Sequence, residues 1–90
     1  MRDLYKLANT IKVSYPGIFM TDDCTGNILV QIPDLGCMAE GDTIEEAFAD
    51  AKAAIEEYMR HGVLPYASTL AEIDDMVKEG DLVMYIDAIA

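Results

Sequence analysis

Gln31-Ile32-Pro33-Asp34-Leu35-Gly36-Cys37-Met38-Ala39-Glu40-Gly41-Asp42-Thr43-Ile44-Glu45-Glu46-Ala47 reads, in order, as a strand, a tight turn, a short strand, a second turn and the capped start of a helix. No other stretch restricts the fold so closely. The first amides of a helix lack intrahelical partners. A hydroxyl followed three residues later by a carboxylate satisfies two of them, and Thr43 with Glu46 makes such a capping box at the head of an apolar-periodic run that begins at Ile44. The signature is structural. It brings with it no nucleophile–base pair, metal cluster or phosphate loop.

Ninety residues make one domain with a small core. Apolar residues are 52% of the chain, more than such an interior holds, so some apolar surface is expected to face a partner. Seventeen acids against 6 bases give a formal charge of −11, which argues against binding nucleic acid phosphates. The same charge suits steering towards a basic protein, and equally suits keeping a small apolar domain in solution. Cys24 and Cys37 fit no metal or redox spacing. With no apolar run near the length of a membrane span, and Met1–Lys6 too short and mixed for a signal peptide, the chain is expected to be cytoplasmic with reduced thiols.

Ile11, Val13 and Tyr15 alternate with Lys12 and Ser14, which predicts a half-buried first strand. Tyr15-Pro16-Gly17 predicts a bulge or an edge position before Ile18-Phe19-Met20. After the polar turn at Thr21–Gly26, Ile28, Val30 and Ile32 give a second period-2 face, and Cys37–Glu40 a short third strand. A helix is predicted over Ile44–Arg60, with Ile44, Ala47, Phe48, Ala51, Ile55, Tyr58 and Met59 inward and Gly62 placed to end it. Ser68 or Thr69 is expected to cap a second helix through Lys78, with Leu70, Ile73, Met76 and Val77 inward. Leu82-Val83-Met84-Tyr85-Ile86 is apolar throughout, so this last strand should be covered on both faces. Helices cover one. Val83 and Tyr85 are therefore the candidate oligomer interface. The expected fold is α+β, in the order β-β-β-α-α-β: a mixed four-stranded sheet in which an antiparallel meander is joined by a last strand parallel to the first, with the helices on one face.

The candidate chemistry is sparse. His61, the lone histidine, ends the main helix, where an imidazolium is favoured by the dipole. Neither serines nor cysteines are placed to work with it. Asp22-Asp23 and Asp74-Asp75 read as a turn and a solvated face, since neither has the alternating oxygens of a calcium loop. Cys37 reads as a small hydrophobe. Catalytic, metal and cofactor residues are expected to be absent, and the chain is not expected to be an enzyme. The acidic helix face from Glu45 to Glu57 is either a solvated surface or a docking surface for a basic partner.

Taken together in this order and spacing, Tyr15-Pro16, Asn27–Ile32, Pro33-Asp34-Leu35-Gly36-Cys37, Gly41-Asp42-Thr43-Ile44-Glu45-Glu46-Ala47, Leu64-Pro65-Tyr66-Ala67-Ser68 and Met84–Asp87 make a pattern that resembles the HicB-like antitoxins of bacterial toxin–antitoxin pairs. The resemblance covers about Ile11–Asp87. The chain departs from it in lacking the second proline of the first turn, in carrying Ala67 for a loop proline, and in ending at Ala90 without the DNA-binding segment that many HicB proteins add.

The resemblance implies a partial ribonuclease-H-like fold over 1–90, without nuclease activity. It also implies a homodimer or homotetramer and a partner: a small basic HicA-type ribonuclease toxin whose active surface the antitoxin occludes. Asp42, Glu45, Glu46 and Asp50 are the candidate toxin-binding residues. A ribonuclease-H site needs a carboxylate on the first strand, and Ile11–Tyr15 has none. The alternative is an orphan RNA- or ligand-binding domain of the same fold. A neighbouring gene for a small basic ribonuclease separates the two.

Overall fold

The computed structural model describes residues 12–89. The first strand, β1, runs Lys12–Thr21; β2 covers Ile28–Ile32, β3 Cys37–Gly41, the helix α1 Ile44–His61, and β4 Leu82–Ile89. The sheet order is β3-β2-β1-β4 and every pairing is antiparallel. Ile11, placed in the first strand by its alternation, lies outside the described residues, as does Ala90.

The meander follows from the turns. The backbone of Gly36 sits at φ 64°, a left-handed conformation that glycine adopts at no steric cost, and its N–H reaches the Ile32 carbonyl at 3.0 Å, closing β2 onto β3. Gly26, at φ 78°, does the same between β1 and β2. One face of the sheet carries Tyr15 and Phe19 of β1, Val30 and Ile32 of β2, Ala39 of β3, and Ile86 and Ala88 of β4. These join Ala47, Ala51 and Ile55 of α1 in one buried cluster. Each large side chain there contributes about 1.5–3 kcal/mol over its exposed state. The predicted helical stripe is confirmed at Ala47, Ala51 and Ile55, whereas Ile44 and Tyr58 at its margins are each 38% exposed.

One local expectation is corrected and two others are narrowed. Of the two expectations at Pro16 the edge position holds and the bulge does not: β1 pairs with β4 without interruption from Lys12↔Ile89 to Phe19↔Leu82, and β2 does not reach Pro16 on the other side. Proline lacks only an N–H, and β2 pairs no further back along β1 than Ile18, so that missing donor costs the sheet no bond. Gly62 ends α1, as expected, in extended backbone. The second helix is what is corrected: no α-helix forms between Ser68 and Lys78. Thr69 and Glu72 do form a reciprocal cap, Glu72 N–H to Thr69 Oγ1 at 3.2 Å and Thr69 N–H to Glu72 Oε1 at 2.8 Å, but only a turn and the short 3-10 segment Asp74–Met76 follow. A helix this short is marginal in water. Of the four residues expected inward only Ile73 is buried, and Met76 is 45% exposed.

The largest correction is the direction of the last strand. It lies beside β1, as expected, but runs antiparallel to it. The crossover rule applies to a chain that returns along the sheet once. Here it returns twice. α1 starts beside the Thr21 end of β1 and finishes near Ile89, at the opposite end. Residues 62–81 then climb back without a helix, pinned by the Tyr15 hydroxyl on the Pro65 carbonyl at 2.7 Å and by Ser68 on the Asp34 carboxylate at 2.7 and 2.9 Å. The chain enters β4 opposite Phe19 and must descend. Among the described residues the fold is α+β, with one α-helix on a wholly antiparallel sheet, which is not the arrangement the ribonuclease-H comparison implied.

Tyr15 makes this anchoring pH-dependent. Burial, the Asp34 carboxylate and Tyr58 raise its phenol above the ordinary value of 10.0. Its contribution to stability is thus complete below pH 10 and is lost as pH rises through the higher folded-state value. Tyr15→Phe should cost about 1 kcal/mol at neutral pH, by loss of the bond to Pro65, and should flatten the decline in thermal stability above pH 10. Melting curves from pH 7 to 11 check this (~four pH points suffice for the slope).

Candidate functional site

Four predicted site residues gather around the start of α1. Asp42, Glu45, Glu46 and Asp50 are all exposed. They differ in what else they do. The Glu46 N–H donates to Thr43 Oγ1 at 3.2 Å, the first half of the capping box read from sequence, while the Glu46 carboxylate accepts from Asp42 N–H, one residue before the cap, at 3.4 Å rather than from Thr43. Asp50 accepts the Glu40 N–H of β3 at 3.1 Å and so ties the helix to the strand beneath it. Asp42 and Glu45 make no side-chain bond within the described residues. They are the members of the set whose charge is free of a structural task, apart from the favourable position of Glu45 in the first turn of a helix.

Sequence reading missed the floor of this surface. A groove of about 280 Å³ is lined by Leu29, Met38, Ala39, Glu40 and Asp50. Met38 is 58% exposed. Glu40 adds a fifth carboxylate, held towards the β2 turn by a 3.4 Å bond from Asn27 Nδ2. The signal was available: in a period-2 strand, Met38 and Glu40 turn away from the face that buries Ala39. Among the described residues the ion pairs are Arg60–Glu57 and His61–Glu57, both at the other end of α1, so no cation neutralises the acidic edge.

That far end of α1 carries a second hollow, an open cleft of about 490 Å³ lined by Cys37, Ala54, Glu57, Tyr58, His61 and Gly62. It brings the histidine and a cysteine into one cleft. Burial raises the Cys37 thiol above its ordinary value of 9.0, which favours the neutral thiol over the nucleophilic thiolate. His61 Nε2 sits 2.9 Å from Glu57 Oε1 in an exposed pair. Among the described residues no three His, Cys, Asp or Glu side chains come together as metal ligands.

The two proposed interface residues sit on the sheet face opposite α1. Val83 is half-buried and Tyr85 is 42% exposed. This face is less open than expected, because the Leu70 N–H donates to the Tyr85 hydroxyl at 3.1 Å and brings the 70–76 turn against it. Ser14 donates across the β1–β4 pair to Asp87. No helix among the described residues is long and apolar enough to cross a membrane. Set against models of known protein families, curated proteins and solved structures, the chain matches none of them.

Proposed function

We propose that this protein is an antitoxin that binds a small basic ribonuclease of the HicA type and blocks its active surface. The reading rests on the ordered motifs from Tyr15-Pro16 to Asp87 and on one geometric observation. A groove lined by Leu29, Met38, Ala39, Glu40 and Asp50 carries two carboxylates, and the exposed Asp42, Glu45 and Glu46 follow in sequence at the start of α1, with no basic side chain paired to any of the five among the described residues. The apolar side chains supply contact area. The unneutralised carboxylates attract a basic protein and fix its orientation. The cleft at Cys37, Tyr58 and His61 favours a second reading, a domain that binds a small apolar ligand. In that case the acidic edge would be a solvated surface.

Charge reversal separates the two. Glu46 and Asp50 hold the cap and the edge strand, so reversing them would disturb the fold. Asp42→Lys with Glu45→Lys leaves both bonds in place. For a HicA-type ribonuclease at low salt, the double variant should slow association by about tenfold and change dissociation little, because rim charges act mainly on encounter. Stopped-flow mixing at two ionic strengths reads both rates. Unchanged association with an intact circular dichroism spectrum would place docking elsewhere.

A further inference from the structure

We propose that the cleft at the end of α1 binds an amphipathic amine, a ligand with one ammonium group on an apolar body; this rests on the second reading of that cleft, as a ligand site, and not on the antitoxin reading.

Gly62 has no structural need to be glycine. Its φ of −154° is extended backbone that any residue adopts. A side-chain carbon there would meet Tyr58 Cε1 at 3.6 Å and the Tyr58 carbonyl oxygen at 3.8 Å, ordinary contacts that force nothing to move. Glycine at such a position lowers stability by enlarging the unfolded ensemble. What the missing side chain does is leave the ring edge and the carbonyl of Tyr58 uncovered, at the wall of a cleft whose volume of about 490 Å³ suits a small molecule.

The groups left open there favour positive charge. The last four carbonyls of a helix have no intrahelical partner and carry the negative end of its dipole. Among the described residues after His61, no backbone N–H returns to those carbonyls, so the C-terminus of α1 stays open. Glu57 adds a carboxylate to the cleft, and Tyr58 an aromatic ring, to which cations are drawn. The chain as a whole carries −11. Arg60 and His61, the cations that would draw an acid instead, are both turned onto the Glu57 carboxylate, Arg60 on Oε2 and His61 Nε2 at 2.9 Å from Oε1. These pairs are exposed and contribute little to stability. A ligand ammonium therefore takes the place of the imidazole on Oε1 without loosening the helix. Ala54 and the Cys37 thiol complete the wall against which the apolar body lies.

Isothermal titration calorimetry of the full chain compares phenethylamine, phenethyl alcohol and hydrocinnamate, which share an apolar body and differ in charge. Phenethylamine should bind at least about tenfold more tightly than the alcohol, and hydrocinnamate should not bind. Glu57→Gln should bring the amine down to the affinity of the alcohol and leave the alcohol unchanged. Gly62→Val covers the ring and carbonyl of Tyr58 and should abolish binding of both, with the thermal midpoint level or higher. Equal affinities for amine and alcohol, both lost in Gly62→Val, would overturn the amine and keep the cleft as an apolar ligand site. No heat from either at millimolar concentration would overturn the ligand site as well. Amine binding that survives Gly62→Val in a folded variant, or is indifferent to Glu57→Gln, would place the amine on the general acidic surface and overturn the proposal. If Gly62→Val does not fold, Glu57→Gln decides, since the Glu57 carboxylate is exposed and bonded only to exposed partners.

Discussion

Gly41→Val should abolish the native fold at physiological temperature. A side-chain carbon at this position would lie 2.7 Å from the carbonyl carbon of Glu46 and closer still to the Ala47 amide nitrogen. Both belong to the first turn of α1, which cannot retreat without breaking the Thr43 cap and lifting Ala47 off the core. The cost should be at least about 3 kcal/mol. A domain this size has little stability in reserve, so that is enough to unfold much of the population. Gly17 is a control of the same chemistry with a softer neighbour. Its added carbon would meet the end of the Ile86 side chain at 2.5 Å, an atom that can rotate aside. Gly17→Ala should therefore cost less than Gly41→Val. Urea denaturation followed by circular dichroism ranks the two. Equal stability of Gly41→Val and the parent chain would mean that the helix start does not press on β3 as described.

The contrast between these glycines shows what the sequence made legible. The start of α1 was readable to the residue because its signal is local: Thr43, Glu46 and the apolar step at Ala47 lie within one turn, and Thr43 caps the helix as expected, with the Glu46 carboxylate reaching Asp42 instead of Thr43. The meander was readable for the same reason, since Gly26 and Gly36 carry their turn conformations with them. The last strand was not. Its apolar run marked it as a strand, but its direction depends on how often the chain travels the length of the sheet. That is decided by the path of residues 62–81, whose anchors join distant positions: Tyr15 to Pro65, Asp34 to Ser68 and Tyr85 to Leu70. The cap at Thr69 was read correctly and the helix behind it was not, because a cap marks a start and only buried neighbours sustain the rest.

The candidate site divides along the same line. Glu45, Glu46 and Asp50 were legible as an exposed helix face, with Asp42 in the turn before it. That Glu46 and Asp50 also hold the structure together, and that Met38 and Glu40 extend the surface onto β3, depended on which strand lies under the helix. The distinction matters experimentally, since only Asp42 and Glu45 can be reversed without loosening the fold.

The central claim is tested most directly by titrating this protein into a HicA-type ribonuclease and following cleavage of a fluorogenic RNA. The account predicts stoichiometric inhibition. Cleavage should fall to near zero once the antitoxin equals the toxin, because an occluded active surface leaves no partial activity. Raising the salt should weaken the inhibition, since the acidic rim contributes through screened charges. The Asp42→Lys, Glu45→Lys variant should need a longer preincubation to reach the same endpoint. Undiminished cleavage at several-fold excess of the folded protein would contradict the account and leave the cleft at Cys37, Tyr58 and His61 as the better functional reading.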